Sequence, residues 1–226
     1  MTSLLEKTIS VIAPHHCFLC SKESNILCGS CAEEVFGEGP AVCFLCNKPT
    51  VDSSVCPGCQ GKTLLQHVWT AAAYEDVIKR ILKAFKFDRM RAAYKPLALG
   101  MVGALPYLTE VLVVHVPTAP ERVRLRGYDQ AKLLAREVAK QQGWKHATLL
   151  RRRHNFRQVG AGRLVRQKQA QEAFELAGGR DLSGAHILLV DDVTTSGATL
   201  VAAAAVLSAA GAARIDAVVA AKHTLE

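Results

Sequence analysis

The sequence predicts an α/β protein, a mostly parallel sheet with helices on both faces, preceded by a small cysteine-rich unit. Three observations carry this. All eight cysteines lie between Cys17 and Cys59. Past Lys62, apolar runs of strand length alternate with stretches of helical period. One apolar run ends in two acids and a hydroxyl-rich turn, then enters a helix. The 226 residues suffice for one to two domains. The cysteines put the division after residue 62, with 1–62 as a double ribbon and 63–226 as the α/β unit. A chain that is 50% apolar and 21% charged is globular, which excludes a disordered class.

The elements follow in order. Residues 68–74 read as a strand. Residues 75–87 follow as a helix, with Val77, Ile78, Ile81, Leu82 and Phe85 on one stripe and Lys79, Lys83 and Lys86 on the other face. A second helix is expected over 97–105, ending near Pro106. Residues 111–116 are apolar apart from His115, the mark of a strand buried on both faces. Residues 128–142 are helical, with Leu134, Ala135 and Val138 inward and Gly143 as the stop. A short strand is expected at 148–150. Residues 151–180 are polar and weakly periodic and read as a mobile loop or flap. A strand at 186–190, a helix at 197–210 ended by Gly211, and a strand at 214–221 complete the chain. Such alternation implies a parallel sheet, and ligands of such sheets bind at the carboxyl ends of the strands.

The cysteines form four CxxC pairs, Cys17/Cys20, Cys28/Cys31, Cys43/Cys46 and Cys56/Cys59. A CxxC turn points two thiolates at one centre, and two such turns complete a tetrahedral zinc shell. Eight thiolates therefore suit two structural Zn²⁺ sites with no open position for catalysis. A disulfide framework needs an oxidising compartment. The N-terminus carries an early acid, Glu6, and no small-residue cleavage site, so export is not expected and a cytoplasmic location is. A crossed pairing of the cysteines is conceivable. Sequential pairing is favoured because CFLC recurs at 17–20 and 43–46. His15 and His16 read as bystanders to saturated sites. A unit this small has little core and is expected to be unfolded without metal. No apolar run reaches the roughly 18 residues of a membrane span.

Net charge is +8. Residues 1–62 hold four Lys/Arg against six Asp/Glu, so the excess lies in the α/β unit. Between Lys145 and Arg180 there are nine Lys/Arg and only Glu172 and Glu175 as acids. This stretch suits a polyanion such as phosphate, pyrophosphate or nucleic acid, or else a solvated loop in a basic protein.

The most specific segment runs from His186 through Ile-Leu-Leu-Val-Asp-Asp-Val-Thr-Thr-Ser-Gly-Ala-Thr to Leu200. Val193, Thr194, Thr195, Ser196, Gly197, Ala198 and Thr199 place backbone N–H groups, hydroxyls and small side chains around a helix N-terminus, a ready anion site. Asp191 and Asp192 beside it make sense if the ligand also presents vicinal hydroxyls, which carboxylates accept from. A ribose 5-phosphate has both features. The alternative is an acidic cap on a helix start.

This segment resembles the PRPP-binding motif of type I phosphoribosyltransferases, and the whole chain resembles the ComF family. Three further segments carry the resemblance: Ile78–Phe87 (IKRILKAFKF), Val116–Ala131 (VPTAPERVRLRGYDQA), and the basic stretch Arg151–Phe174 with Gln158 and Arg166. Tyr128-Asp129 stands where the family usually has Phe-Asn, and Gln169 where it usually has Asn. The resemblance implies a phosphoribosyltransferase-type, Rossmann-like sheet behind a double zinc ribbon. It implies PRPP with Mg²⁺ as ligand and a link to DNA uptake in natural competence. Val116–Pro120, with Pro117 and Thr118, would meet pyrophosphate. Arg122, Arg124 and Arg126 could neutralise its oxygens through their bidentate forks. Arg151–Arg153, Arg157 and Arg163 would form a flap or a nucleic-acid track. The implied reaction displaces pyrophosphate from C1 of PRPP, with Asp191 and Asp192 as the catalytic pair holding the ribose hydroxyls. No base-recognition element is visible, and a fold alone does not establish turnover. The other expectation is a non-catalytic protein that binds single-stranded DNA through the basic 145–180 region and works with DNA-uptake proteins. With only 6% aromatics, stacking platforms are few. A ribbon that merely hoods the site or mediates dimerisation is a further option.

Overall fold

The computed structural model describes residues 16–37, 39, 41–153 and 173–223. Its centre is a five-stranded, all-parallel sheet in the order β1-β7-β6-β2-β3. In chain order the elements are α1 (Gly29–Val35), β1 (Val68–Ala73), α2 (Asp76–Phe87), α3 (Tyr94–Gly103), β2 (Val111–His115), α4 (Pro120–Arg126), α5 (Gln130–Gln142), β3 (Lys145–Ala147), β4 (Leu150–Arg152), β5 (Phe174–Leu176), β6 (His186–Thr194), α6 (Ala198–Ala209) and β7 (Arg214–Lys222).

The chain leaves β2 toward β3 and leaves β6 toward β7, in opposite directions across the sheet. Right-handed crossovers then put α5 and α6 on opposite faces. They also open a crevice at the carboxyl ends of β2 and β6, where ligands bind in such sheets. Ile187, Leu188, Leu189 and Val190 are fully buried, as central parallel strands require. Leu188 and Val190 join a core with Phe85 of α2, Leu97 of α3 and Leu134 of α5. Ile187 and Leu189 join a second core with Leu200, Ala203 and Leu207 of α6.

The amino ends of the strands are tied by one buried carboxylate. Asp216 accepts from His67 N and Arg214 Nε at 3.0 and 2.7 Å, and its oxygens lie 2.9 and 2.7 Å from His67 Nδ1 and His186 Nε2. A buried charge tolerates its site only with such a full set of partners.

Several expectations need correction. The strand expected at 148–150 is not there. Instead His146 pairs with Val113 at the sheet edge, and Leu150–Arg152 turns away into an antiparallel ladder with β5. The ends of the expected 151–180 loop are therefore strand. Leu150 and Phe174 are each 2% exposed, and burying them under α6 favours the ladder over a free loop. Arg157, Gln158, Arg163, Arg166 and Gln169 of the expected flap lie outside the described residues, as does His15. Strand β6 extends to Thr194, so both acids lie within it and not after it. Helix α4 was not foreseen. Pro120 at its start and Glu121 in its first turn are start signals, yet it buries no residue and so shows no apolar stripe.

Candidate functional site

Strand β6 carries Asp191 and Asp192 into the crevice, and the chain then turns through Thr195, Ser196 and Gly197 into α6. Thr195, Ser196, Ala198 and Thr199 are exposed, so the turn is open. Thr194 is buried, and its carbonyl accepts from His223 N at 2.9 Å. Gly197 has φ of +74°, a left-handed conformation that glycine adopts without strain. No side chain caps α6. The two acids are therefore not the cap of this helix, and its first N–H groups face the open turn.

The acids differ from each other. Asp192 accepts from Lys86 Nζ at 2.9 Å, with both side chains largely buried. Asp191 accepts from the Asp192 N–H at 2.8 Å. Burial first, and then the Asp192 charge, push the Asp191 carboxyl up to about 8. Asp191 thus resists ionisation, while Lys86 holds Asp192. Lys86 is the site residue that periodicity assigned only to an outer helix face. Its signal was position, in the last turn of α2 at the carboxyl side of the sheet.

Opposite this pair, β2 ends at His115 and leads into Val116, Pro117 and Thr118. Val116 N donates to Val190 O at 2.9 Å. Asp129 accepts from Thr118 N at 3.0 Å and from Thr118 Oγ1 at 3.1 Å, and it also caps α5. Tyr128 Oη donates to Phe85 O at 2.6 Å. The two departures from the family pattern here therefore sit on structural contacts. Of the three arginines of α4, Arg122 and Arg126 are one helical turn apart and close enough to repel each other. Arg126 donates to Gln130 Oε1 at 2.9 Å and lies 5.7 Å over the exposed Phe87 ring. Burial lowers its pKa, and nearby Asp192 opposes that. Arg122 is exposed, and Arg124 lies 4.0 Å from Glu121. A cleft of about 760 Å³ lies beside the β2 loop, lined by Pro117, Thr118, Asp129, Lys132, Arg151 and Glu175 among others. Arg151 and Arg153 meet Glu175 there at 2.6 and 3.2 Å. His115 lines this cleft, and its ring Nδ1 lies 3.1 Å from Nε2 of His146 behind it. Burial holds His115 down to about 4, so the pair is neutral.

The cysteines gather as two sets of four, Cys17/Cys20/Cys28/Cys31 and Cys43/Cys46/Cys56/Cys59, each with its sulfurs within 4.8 Å of one another. The sequential pairing holds. Cys20 and Cys28 Sγ are 3.8 Å apart, and Cys46 and Cys56 Sγ 3.5 Å. Disulfide sulfurs would lie about 2.05 Å apart. A tetrahedral shell with Zn–S bonds of about 2.3 Å has edges of about 3.8 Å, which these sets fit. Burial raises Cys17 and Cys43, but N–H groups of each knuckle outweigh it and bring both down to about 6. Cys31 is pushed up to about 12 by its bond with Cys28 and by burial, and Cys59 to about 12 by burial and its bond with Cys46. Four thiols so close cannot all ionise without a cation among them.

A parallel sheet with an acid pair and a small-residue turn at its switch point, joined to two four-cysteine sites, defines the class: a phosphoribosyltransferase-type α/β protein with N-terminal ribbons. Residues 131–224 match the family described as phosphoribosyl transferase domain. The chain is 28% identical over 218 residues to DNA utilization protein YhgH of Salmonella typhimurium, covering 90% of this chain and 95% of that one. It is 27% identical over 189 residues to competence protein ComFC of Bacillus subtilis, covering 79% and 76%. A solved glutamine PRPP amidotransferase from B. subtilis, complexed with ADP and GMP, overlaps 56% of this chain and 26% of its own at 16% identity and a TM-score of 0.39, too loosely to bear on function. These matches support a ComF-family protein. Among the described residues no helix is long and apolar enough to cross a membrane.

Proposed function

We propose that the chain binds PRPP, or another ribose 5-phosphate ligand, and serves DNA utilization in the cytoplasm as a phosphoribosyltransferase-like protein. The observation that carries this is the open, uncapped turn from Thr194 to Thr199 beside the Asp191/Asp192 pair. The N–H groups and hydroxyls of Thr195, Ser196 and Thr199 would hold the 5-phosphate at the positive end of α6. That grip fixes C1 of the ribose for attack. Asp191 and Asp192 would accept from the ribose hydroxyls and place negative charge beside the oxocarbenium-like centre. The bond from C1 to pyrophosphate breaks with both electrons leaving on pyrophosphate, and the incoming nucleophile forms the new bond. Lys86 and Arg126 lie where they could balance the charge of the acids and the leaving group. Mg²⁺ bound together with PRPP would add further charge neutralisation beside Asp191 and Asp192. The two cysteine sets hold structural zinc in this reading.

Calorimetric titration with PRPP and Mg²⁺, and with ribose 5-phosphate, tests it. The parent protein binds, and the Asp191→Asn/Asp192→Asn variant binds at least about tenfold more weakly. The pH dependence has a definite sign. Asp191 must lose its proton to accept both hydroxyls, and that costs about 1.4 kcal/mol for each unit below its raised pKa. Affinity therefore rises from pH 6 toward pH 9 in the parent and stays flat in Asp191→Asn. No heat and no thermal stabilisation with either ligand sinks the proposal.

A second reading, single-stranded DNA binding, is favoured by one observation. Phe87 and Leu125 are 70% and 69% exposed beside Arg126, a stacking platform next to cationic charge. Arg151 and Arg153, in the region first expected to meet DNA, are already paired with Glu175.

A further inference from the structure

The two ribbons stand on different parts of the α/β unit, and among the described residues it is the second that meets the turn. Cys43, Phe44, Cys56 and Cys59 are buried in the core shared with α6. The Phe44 ring occupies the space into which a Cβ on Gly197 would project, and Leu45 comes within 3.6 Å of that point. Phe44 is 1% exposed, so the ring is fully committed to this contact. A second link runs through β7. Lys222 is 3% exposed and donates from Nζ to Cys43 O at 3.2 Å. Lys222 is also the register partner of Thr194, and His223 N bonds the Thr194 carbonyl. Cys43 thus reaches the first residue of the turn through Lys222, and Phe44 reaches its last glycine directly. The corresponding residue of the first knuckle, Phe18, packs in the opposite core with Arg80 5.4 Å over its ring.

We propose that the second four-cysteine site is part of the phosphate-binding apparatus: Phe44 and Lys222 are positioning residues for the Thr194–Gly197 turn. Ligand affinity at the turn and the integrity of the Cys43/Cys46/Cys56/Cys59 set are therefore linked, and the first set is not. This rests on the ribose 5-phosphate reading. If the cage opens and Cys43 shifts, the buried Lys222 ammonium loses its carbonyl acceptor, and the β7 partner of Thr194 is no longer held in place. Without Phe44, Gly197 is free to leave its left-handed conformation. Linkage is reciprocal, so a bound phosphate protects the second set.

Two experiments on the full-length, metal-loaded protein test this. Calorimetry with PRPP and Mg²⁺ compares Phe44→Ala, Phe44→Leu and Phe18→Ala, with zinc content and melting temperature measured in parallel. Phe44→Ala loses at least about tenfold in affinity while keeping both metal equivalents, Phe44→Leu recovers most of it, and Phe18→Ala stays within about twofold despite a lowered melting temperature. The second experiment needs no variant. Cys20 and Cys46 are equivalent positions of the two CFLC turns and both are exposed. With a zinc-selective chelator and excess Mg²⁺ present, alkylation followed by peptide mass spectrometry reads each one separately. Saturating PRPP slows alkylation of Cys46 several-fold and leaves Cys20 unchanged. Equal affinity in Phe44→Ala and parent, or equal protection of Cys20 and Cys46, overturns the inference while the function stands. A parent protein that binds neither PRPP nor ribose 5-phosphate overturns both.

Discussion

The two ribbons share a CFLC turn and a four-sulfur cage, and they differ in what they rest on. The first closes over the face of the sheet covered by α2, α3 and α5, where Phe36 meets Gly100 of α3. The second closes over the face covered by α6, where Phe44 meets Gly197. In each case an aromatic ring from a ribbon fills the space left by a glycine. One of those glycines lies within helix α3, and the other in the turn between β6 and α6. Similar local chemistry thus yields a packing contact in one place and a support for the candidate site in the other.

Breaking each cage in turn gives the largest expected effect. Cys17→Ser and Cys43→Ser should each lose one of two zinc equivalents, counted by elemental mass spectrometry. Both should lose stability on the order of several kcal/mol, because metal binding and folding are coupled in such units. Only Cys43→Ser should also abolish ligand binding. Similar losses of affinity in both variants would mean that the ribbons act only through global stability.

The glycine pair sharpens the comparison with a smaller perturbation. Gly197→Ala puts a methyl group against Phe44 and forces a left-handed residue, at roughly 1–2 kcal/mol for the conformation alone. Gly100→Ala meets the Phe36 ring within an ordinary helix, where alanine regains up to about 1 kcal/mol of propensity. Thermal unfolding should therefore detect both. Calorimetry should find weakened ligand binding in Gly197→Ala alone. An affinity loss in Gly100→Ala would place the first ribbon in the same linkage.

Much of this was legible because local patterns carry it. CxxC spacing reports ligand geometry directly, and the repeated CFLC identified the pairing that the structure adopts. Apolar runs such as 186–190 announce buried parallel strands whatever surrounds them. The acid pair and small-residue turn were visible for the same reason: a phosphate site is built from consecutive residues. What escaped was made of distant residues. Lys86 meets Asp192 from a separate helix, and Phe44 meets Gly197 across the interface of ribbon and sheet. No periodicity encodes either contact. Helix α4 escaped because it buries nothing, and the β4/β5 ladder because its two three-residue strands lie far apart in the chain. The arginines of α4 lie on one short helix, where Arg122 and Arg126 are a turn apart and Arg126 comes near Asp192.

In the proposed complex one turn grips a phosphoryl group while the neighbouring carboxylates grip the diol, with the second ribbon bracing the turn from beneath. A crystal structure of the full chain with PRPP and Mg²⁺ is the sharpest test. It should place the 5-phosphate within hydrogen-bonding distance of the Thr195 and Ser196 N–H groups, the ribose hydroxyls on Asp191 and Asp192, and Phe44 still seated against Gly197. A phosphate held in the cleft of Thr118 and Arg151 with the turn empty, or a ligand bound with Phe44 displaced, would contradict it.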